Sequence, residues 1–173
     1  MHIAASTLYD FVQCPTRVGL DAFGDANKRD PINPFVRLLW ERGTLFERET
    51  IAELEQPFTD LSEFKVEEKE RLTLEAMRRG DALIYGGRIS ADDLIGIPDL
   101  LRKEIGGYIP GDIKSGAGEE RGGEDGDGKP KLHYAVQLAL YVDILERLGL
   151  SAGRRAFVWT SMARKCLTTS RSR

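Results

Sequence analysis

The most constraining feature of this sequence is an apolar segment followed by an alternating one, with a pair of glycines between them. Leu94–Lys103 is rich in aliphatic residues, Tyr108–Lys114 alternates, and Gly106-Gly107 lies between the two. A glycine pair between two such segments is typical of a β-hairpin turn. The sequence therefore predicts two neighbouring antiparallel strands joined by a short turn.

Three charged side chains fall on one face of this hairpin. Asp112 and Lys114 share a face, because alternate residues of a strand point the same way. If the hairpin centre lies between Ile105 and Gly106, Asp99 is opposite Asp112; if it lies one residue later, Asp99 is opposite Lys114. A loop with an odd number of residues would separate them. The face of Asp99 is otherwise aliphatic, which makes a carboxylate unusual there. Its neighbours on that face are Ile95, Ile97 and Leu101.

Two carboxylates that face each other across strands repel, and a divalent cation is the simplest group that neutralises both. Mg²⁺ and Mn²⁺ prefer a few carboxylates together with water molecules. A lysine beside them can orient or deprotonate a metal-activated water, or stabilise charge on a phosphorane. The pattern indicates a metal-dependent phosphoryl site. The alternative is a hairpin with solvated charges on its outer face.

A third acid lies in the predicted helix Phe35–Leu54. Steps of three and four residues place Glu47 in the middle of a mostly apolar stripe, one turn after a glycine that would allow close approach. A buried glutamate needs a partner of opposite charge. That partner could be the metal ion of the predicted site or an internal arginine. The stripe consists of Trp40, Gly43, Glu47, Ile51 and Leu54.

The predicted helix Lys129–Gly149 carries two polar side chains beside its apolar stripe. Gln137 and Tyr141 are four residues apart, so they are neighbours on one face and could point at the hairpin. The alternative is a tyrosine at the edge of the core with a satisfied hydroxyl. The histidines are His2 and His133, which excludes a multi-histidine metal centre.

The order of elements predicts an α/β (α+β) fold in which an antiparallel meander is extended by a strand reached through a helix. Residues 1–159 would form one domain. The predicted elements are a helical region Ser6–Phe23 capped at Ser6 or Thr7 and interrupted at Cys14-Pro15, a helix Phe35–Leu54, a helix Glu63–Arg79 ended by Gly80, a strand Asp81–Ser90, the two hairpin strands, a helix Lys129–Gly149 and a strand Ala152–Trp159.

Residues 160–173 lack an apolar period and become basic. A back-translation shifted by one base reads as a plausible strand and turn. We therefore expect an irregular tail that is frameshifted or truncated, in which case the natural protein would be longer.

Composition limits the possible partners and compartments. The formal net charge of −3 argues against a protein that coats nucleic acid electrostatically, although not against a nuclease. The sequence predicts no transmembrane helix, no secretory signal and no membrane partner. Cys14 and Cys166 provide no disulfide framework, so a cytoplasmic location is expected.

Four motifs, in this order, resemble the PD-(D/E)XK nuclease superfamily in its RecB-like branch. They are Gly43-x-x-x-Glu47, Gly96-Ile97-Pro98-Asp99, Gly111-Asp112-Ile113-Lys114 and Gln137-x-x-x-Tyr141. The branch includes nuclease domains of helicase–nuclease repair complexes and CRISPR-associated RecB-type exonucleases. The resemblance covers roughly residues 6–159. It implies a restriction-endonuclease-like core of a helix, a three-stranded antiparallel meander, a second helix and a further strand, with extra N-terminal helices.

The resemblance also implies the roles of the site residues. Asp99, Asp112 and the backbone carbonyl of Ile113 would hold Mg²⁺ or Mn²⁺, and Glu47 stands where the branch often has a metal-binding histidine. Lys114 corresponds to the catalytic lysine. The motif residues that orient substrate and lysine correspond to Gln137 and Tyr141.

The implied activity is metal-dependent hydrolysis of DNA, favouring an exonuclease on single-stranded DNA or DNA ends in repair, recombination, or phage- or CRISPR-related processing. A helicase or a larger assembly is the implied partner, and no oligomeric state follows. Some members hold an iron–sulfur cluster through four cysteines; this chain offers Cys14 and Cys166, so no cluster is expected. The alternatives are a non-catalytic nucleic-acid-binding module on the same fold and a small-nucleotide phosphohydrolase.

Overall fold

The structure is a computed structural model that describes residues 2–116, 119–120, 129–160 and 164–168. Within these ranges the chain has a mixed α/β fold with five α-helices and two mixed sheets. The helices are α1 (Ala5–Gln13), α2 (Pro15–Phe23), α3 (Pro34–Ala52), α4 (Val66–Arg79) and α5 (Leu132–Arg147), with a 3₁₀ turn at Ala26–Lys28.

The strands are short except at the predicted hairpin and the strands that join it. They are β1 (Ile3–Ala4), β2 (Thr59–Asp60), β3 (Leu83–Tyr85), β4 (Ile89–Ala91), β5 (Leu94–Gly96), β6 (Leu100–Glu104), β7 (Gly107–Lys114), β8 (Glu119–Glu120), β9 (Lys129–Pro130), β10 (Arg155–Thr160) and β11 (Arg164–Thr168).

The larger sheet has the order β11-β10-β7-β6-β3-β2, with β7 in its interior. Strands β3, β6 and β7 are successively antiparallel, and β10 pairs with β7 in parallel after the crossover through α5. A smaller sheet has the order β1-β5-β4, and β8 pairs with β9 as a two-stranded ladder. The predicted crossover strand is therefore confirmed, together with a three-stranded antiparallel unit.

Two predicted strands are wrong, because each is divided between the two sheets. The segment predicted as one strand from Asp81 separates at Gly86, which has φ +66 and lies so close to the Ser62 backbone that a Cβ would be 2.8 Å from Ser62 Cα. The first hairpin strand separates into β5 and β6 around Pro98, which has no N–H for a ladder bond. Asp99 therefore precedes β6 and is not inside a strand.

The predicted helices are present with shifted ends. The helical region after Ser6 divides at Cys14, because Pro15 begins α2 in the first-turn position that proline favours. Helix α1 begins after Ala4, so the predicted Ser6 or Thr7 cap is wrong. Gly80 ends α4 as predicted, with φ +83 and its N–H donating to the carbonyl of Ala76.

Two buried clusters occupy the two faces of the larger sheet, because successive strand residues alternate between them. Ile84 packs in the cluster beneath α4 and α5, whereas its neighbours Leu83 and Tyr85 pack in the cluster that Ile51 of α3 joins. The same alternation in β7 puts Ile113 with the α3 cluster. Asp112 and Lys114 consequently lie on the α5 face of the sheet.

The prediction of an irregular tail after residue 159 is wrong for residues 164–168. These residues form β11, which pairs antiparallel with β10 from Arg155↔Thr168 to Trp159↔Arg164. Residues 161–163 and 169–173 lie outside the described ranges, and the frameshift stays a prediction. None of the helices described is both long and apolar enough to cross a membrane.

Candidate functional site

The hairpin register determines how the two aspartates meet. The ladder of β6 and β7 runs from Glu104↔Gly107 to Leu100↔Gly111. The next pair in this register is Asp99 opposite Asp112, which was the first of the two predicted alternatives. The turn occupies residues 105–106, in agreement with that alternative, so Gly107 of the glycine pair belongs to β7; Gly106 has φ +91.

The backbone ladder of β6 and β7 ends where the two aspartates meet. Beyond it, the next hydrogen bond between the two segments is made by the side chain of Asp99. The backbone N–H of Ile113 donates to Oδ2 of Asp99 at 2.7 Å. This bond attaches the segment before β6 to the end of β7. The carbonyl of the same residue, Ile113, is the predicted backbone ligand of the metal ion. That role stays a prediction.

Asp112 is completely buried, with 0 % of its surface exposed. Neither of its carboxylate oxygens accepts a hydrogen bond from the described residues. Lys114 Nζ lies 3.2 Å from Oδ2, and the backbone N–H of Asp99 also approaches the carboxylate, but neither contact has regular hydrogen-bond geometry. Burial raises the pKa of Asp112, and the charge and contact of Lys114, together with the Asp99 N–H, lower it by less. Such a carboxylate is incompletely compensated by the protein itself.

Asp99 is destabilised as an anion by the same surroundings. Burial, followed by the charge of Asp112, raises the pKa of Asp99 to about 8, although Lys114 and the Ile113 N–H act in the opposite direction. The pair therefore retains a proton at neutral pH in the absence of a cation. A divalent cation would displace that proton, so both the donor chemistry and the orphaned oxygens of Asp112 fit such an ion.

Lys114 lies between the carboxylates and an aromatic ring. Burial lowers its pKa, but the charges of Asp112 and Asp99 raise it further, so the net pKa lies above the ordinary value. Its ammonium is 5.6 Å from the ring centroid of Tyr134. A protonated lysine can orient water and stabilise an oxyanion, which favours those two predicted roles over proton abstraction.

Gln137 and Tyr141 are neighbours, as the spacing predicted, and they attach α5 to the segment before Asp99. The amide Nε2 of Gln137 donates to the hydroxyl of Tyr141 at 3.0 Å, and that hydroxyl donates to the carbonyl of Ile97 at 3.2 Å. A Cβ on Gly96 would lie 2.6 Å from Cδ1 of Tyr141. Glycine at position 96 is therefore required for the tyrosine ring to reach the hairpin.

Glu47 approaches from α3, and its setting differs from the prediction. The expected apolar stripe is covered at its C-terminal end, where Ile51 is buried, but not at its start, where Trp40 is 56 % exposed. The space beside Gly43 is open among the described residues, so this glycine serves no close approach. The half-buried Glu47 carboxylate interacts with the Tyr85 hydroxyl, whose pKa is raised by burial and then by Glu47. Its charge also contributes to the raised pKa of Asp99.

The structure brings together part of the predicted ligand set. Asp99 and Asp112 lie together, whereas Glu47 remains beside Tyr85. Within the part of the chain that is described, no group of three or more His, Cys, Asp or Glu side chains could hold a metal ion. Glu47 as a third ligand stays a prediction.

Two tyrosines near the site were not predicted. Tyr134 lies three residues before Gln137 and seven before Tyr141, so helical spacing could have placed it on the same face. Tyr85 pairs with Leu100, the residue after Asp99. That proximity depends on the pairing of β3 with β6, which are separated in the chain by β4 and β5 of the smaller sheet. The sequence contains no local signal for this pairing.

Comparison with known proteins assigns no family. No protein-family model matches the sequence, and no curated protein matches it significantly. The function must therefore be inferred from the carboxylate pair, Lys114 and the α5 side chains around them.

Proposed function

We propose that this chain is a Mg²⁺- or Mn²⁺-dependent nuclease that hydrolyses phosphodiester bonds in DNA. One observation carries the proposal: Asp112 is fully buried beside Asp99 and Lys114, and its carboxylate oxygens accept no well-aligned hydrogen bond from the described residues. Perturbed acids with a specific charged partner are typical of functional sites.

A divalent cation fits the surplus of negative charge at this place. Asp99 and Asp112 would hold it, with the carbonyl of Ile113 and, after movement of its side chain, Glu47 as further ligands. Bound there, such a cation supplies Lewis-acid polarisation of the phosphodiester and a lowered pKa for water.

The protein's own groups would orient the reactants. The Lys114 ammonium, on the same strand face as Asp112, would hold the attacking water and stabilise negative charge that develops on a phosphate oxygen. Tyr141 and Gln137 would act as positioning residues, because their hydrogen bonds fix the Ile97 carbonyl two residues before Asp99.

The strand order supports a restriction-endonuclease-like core of the RecB-like kind. An antiparallel hairpin bears the acids, and a helix connects it to a strand that is parallel to β7. On the same resemblance we propose an exonuclease that acts in the cytoplasm in DNA repair, recombination, or phage- or CRISPR-related processing, alongside a helicase or in a larger assembly.

The test is digestion of end-labelled single- and double-stranded DNA with Mg²⁺, Mn²⁺ or EDTA. We expect metal-dependent cleavage that falls by at least about 100-fold in Asp112→Asn, because that change removes a ligand and its charge. The matched control is Asp93→Asn, which changes an exposed acid outside the site and should cleave like the wild type.

Titration with Mn²⁺ by calorimetry provides a second measurement that does not depend on turnover. Cleavage that persists in EDTA, or that is as fast in Asp112→Asn as in the wild type, would contradict the proposal. Binding of DNA by a folded wild type without cleavage in either metal would favour the non-catalytic binding module. Hydrolysis of nucleotides, with DNA neither cleaved nor competing, would favour the small-nucleotide phosphohydrolase.

A further inference from the structure

Three aromatic rings gather where α1 meets α5, beside the candidate site. The ring centroids of Tyr9 and His133 are 4.7 Å apart, those of His133 and Tyr134 are 4.4 Å apart, and those of Tyr9 and Tyr134 are 6.5 Å apart. Gln13 Nε2 lies 2.7 Å from Nδ1 of His133, a hydrogen bond that fixes the imidazole plane. The cluster is thus an ordered group of rings contributed by two helices.

Two ammonium groups flank this cluster. Lys114 Nζ and Lys131 Nζ each lie 5.6 Å from the ring centroid of Tyr134. Lys114 is also the partner of Asp112, so it connects the rings to the carboxylate pair. Aromatic rings beside cationic side chains form the usual binding surface for single-stranded nucleic acid, in which bases stack and phosphates are neutralised.

Packing of α1 on α5 covers part of these rings, since Tyr9 of α1 contacts His133 of α5. The buried contact between the two helices includes Ala5 and Leu138, which belong to the core. The three rings remain half-buried. Their mutual contacts are edge-on for both pairs that include His133, with interplanar angles of 69° and 77°. Each half-buried ring thus keeps part of its surface accessible to solvent, and aromatic surface favours stacking with a planar group.

We propose that Tyr9, His133 and Tyr134 form a stacking site for unpaired bases, with Lys131 as a phosphate contact. The site would accept single-stranded nucleic acid and guide its backbone toward Lys114 and Asp112. Bases of an intact duplex are already stacked and paired, so they cannot use these rings without being flipped out. The inference rests on the proposed nuclease function and specifies the substrate class of that site.

The first measurement is the fluorescence anisotropy of a labelled oligothymidylate titrated with the full chain in EDTA, where the proposed cleavage is silent. We expect Tyr134→Leu to raise the Kd roughly 5- to 150-fold, the effect of losing one stacked base. Tyr134→Phe keeps the ring and should bind within about twofold of the wild type. Phe23→Leu removes an exposed ring on α2, and it should leave the Kd unchanged.

The second measurement separates stacking from a structural role. The same oligonucleotide with consecutive abasic residues keeps its phosphates and loses its bases. The wild type should bind it more weakly than the intact strand, and this difference in Kd should be smaller in Tyr134→Leu. A merely structural role for Tyr134 would not produce this coupling between a side chain and a base. Tyr9→Leu provides an independent variant should Tyr134→Leu fail to fold by circular dichroism.

Several results would overturn the stacking site. The first is a Kd that is unchanged in the leucine variants, and the second is a loss of affinity on base removal that is equal in the wild type and the variants. The third is a blunt duplex that binds as tightly as the single strand, and the fourth is no binding of oligothymidylate or oligouridylate. Base-dependent binding without cleavage in Mg²⁺ or Mn²⁺ would keep the stacking site and remove the nuclease. Metal-dependent cleavage with the same KM in wild type and Tyr134→Leu would keep the nuclease and remove the stacking site.

Discussion

Asp112 combines complete burial with two carboxylate oxygens that accept no hydrogen bond from the described residues. Removing an ion from water costs several kcal/mol unless well-aligned partners replace the lost solvation. Lys114 replaces only part of it, as the raised pKa of Asp112 indicates. At the scale of single residues, Asp112 thus destabilises the folded state at the position where the proposed chemistry needs negative charge.

The raised pKa values predict a pH dependence of stability without metal. The folded Asp99 carboxyl has a pKa of about 8 against an ordinary value of 3.8, so the folded state holds a proton that the unfolded state has lost. This contribution to stability is present below about pH 4 and is lost as pH rises toward 8. The free energy of unfolding should fall by about 1.4 kcal/mol per pH unit for each such proton.

Urea denaturation between pH 4.5 and 8 in EDTA measures this slope, and Asp93→Asn is the matched control that should retain it. Asp112→Asn should flatten the slope, because it removes one of the two interacting acids. Saturating Mn²⁺ should stabilise the wild type more at pH 8 than at pH 5. A free energy of unfolding of the wild type that does not fall between pH 5 and 8 would show that the acid pair does not retain the proton.

At the scale of elements, α5 is attached to the hairpin through a contact that depends on one glycine. Gly96→Ala would place a Cβ 2.6 Å from a ring carbon of Tyr141, which forces the ring away from the Ile97 carbonyl. We expect a loss of about 1–3 kcal/mol in the free energy of unfolding, as for overpacked cores. Urea denaturation measures it.

Gly43→Ala is the matched control in α3, where a Cβ meets open space among the described residues. It should stabilise the protein by about 0.5–1 kcal/mol, because alanine favours a helix interior more than glycine does. Equal effects of the two substitutions would show that the contact of Gly96 with Tyr141 carries no energetic weight.

The sequence predicted those elements whose signals are local. Strand alternation and a glycine turn predicted two alternative registers, of which the structure has the one that opposes Asp99 and Asp112. The adjacency of Gln137 and Tyr141 followed from helical spacing. The division at Gly86 was not predictable, because the close contact that accompanies it involves the backbone of Ser62, which is distant in sequence.

Helix α3 is present as predicted, but the burial expected for the whole of its apolar stripe was wrong at Trp40 for a related reason. An apolar stripe specifies which face prefers to be buried, but not whether another element covers that face. Trp40 consequently remains exposed although its spacing resembles that of a core residue. The position of Glu47 beside Tyr85 depended on how the stripe packs, and so it could not be predicted either.

At the scale of the whole molecule, the acid-bearing strand β7 is interior to the larger sheet only because β10 pairs with it. A chain that ends at residue 150 lacks β10 and β11 and leaves β7 as an edge with unpaired backbone groups. We expect this variant to aggregate, as unprotected edge strands do. Size-exclusion chromatography with light scattering measures the outcome.

The matched control ends at residue 163, which removes β11 and keeps β10 paired with β7. It exposes the edge of β10 but keeps β7 paired, so it should aggregate less than the variant that ends at residue 150. A soluble, folded variant ending at residue 150 would show that the β6–β7 hairpin needs no partner strand.

The late position of β10 in the chain also affects synthesis. A ribosome has completed the hairpin by residue 114 but has not added the partner strand of β7 until residue 160. At typical elongation rates of about 5–20 residues per second, the nascent chain carries an open strand edge and two mutually repelling carboxylates for several seconds. Chaperones that bind nascent β-strands would therefore have their main opportunity within this interval of translation.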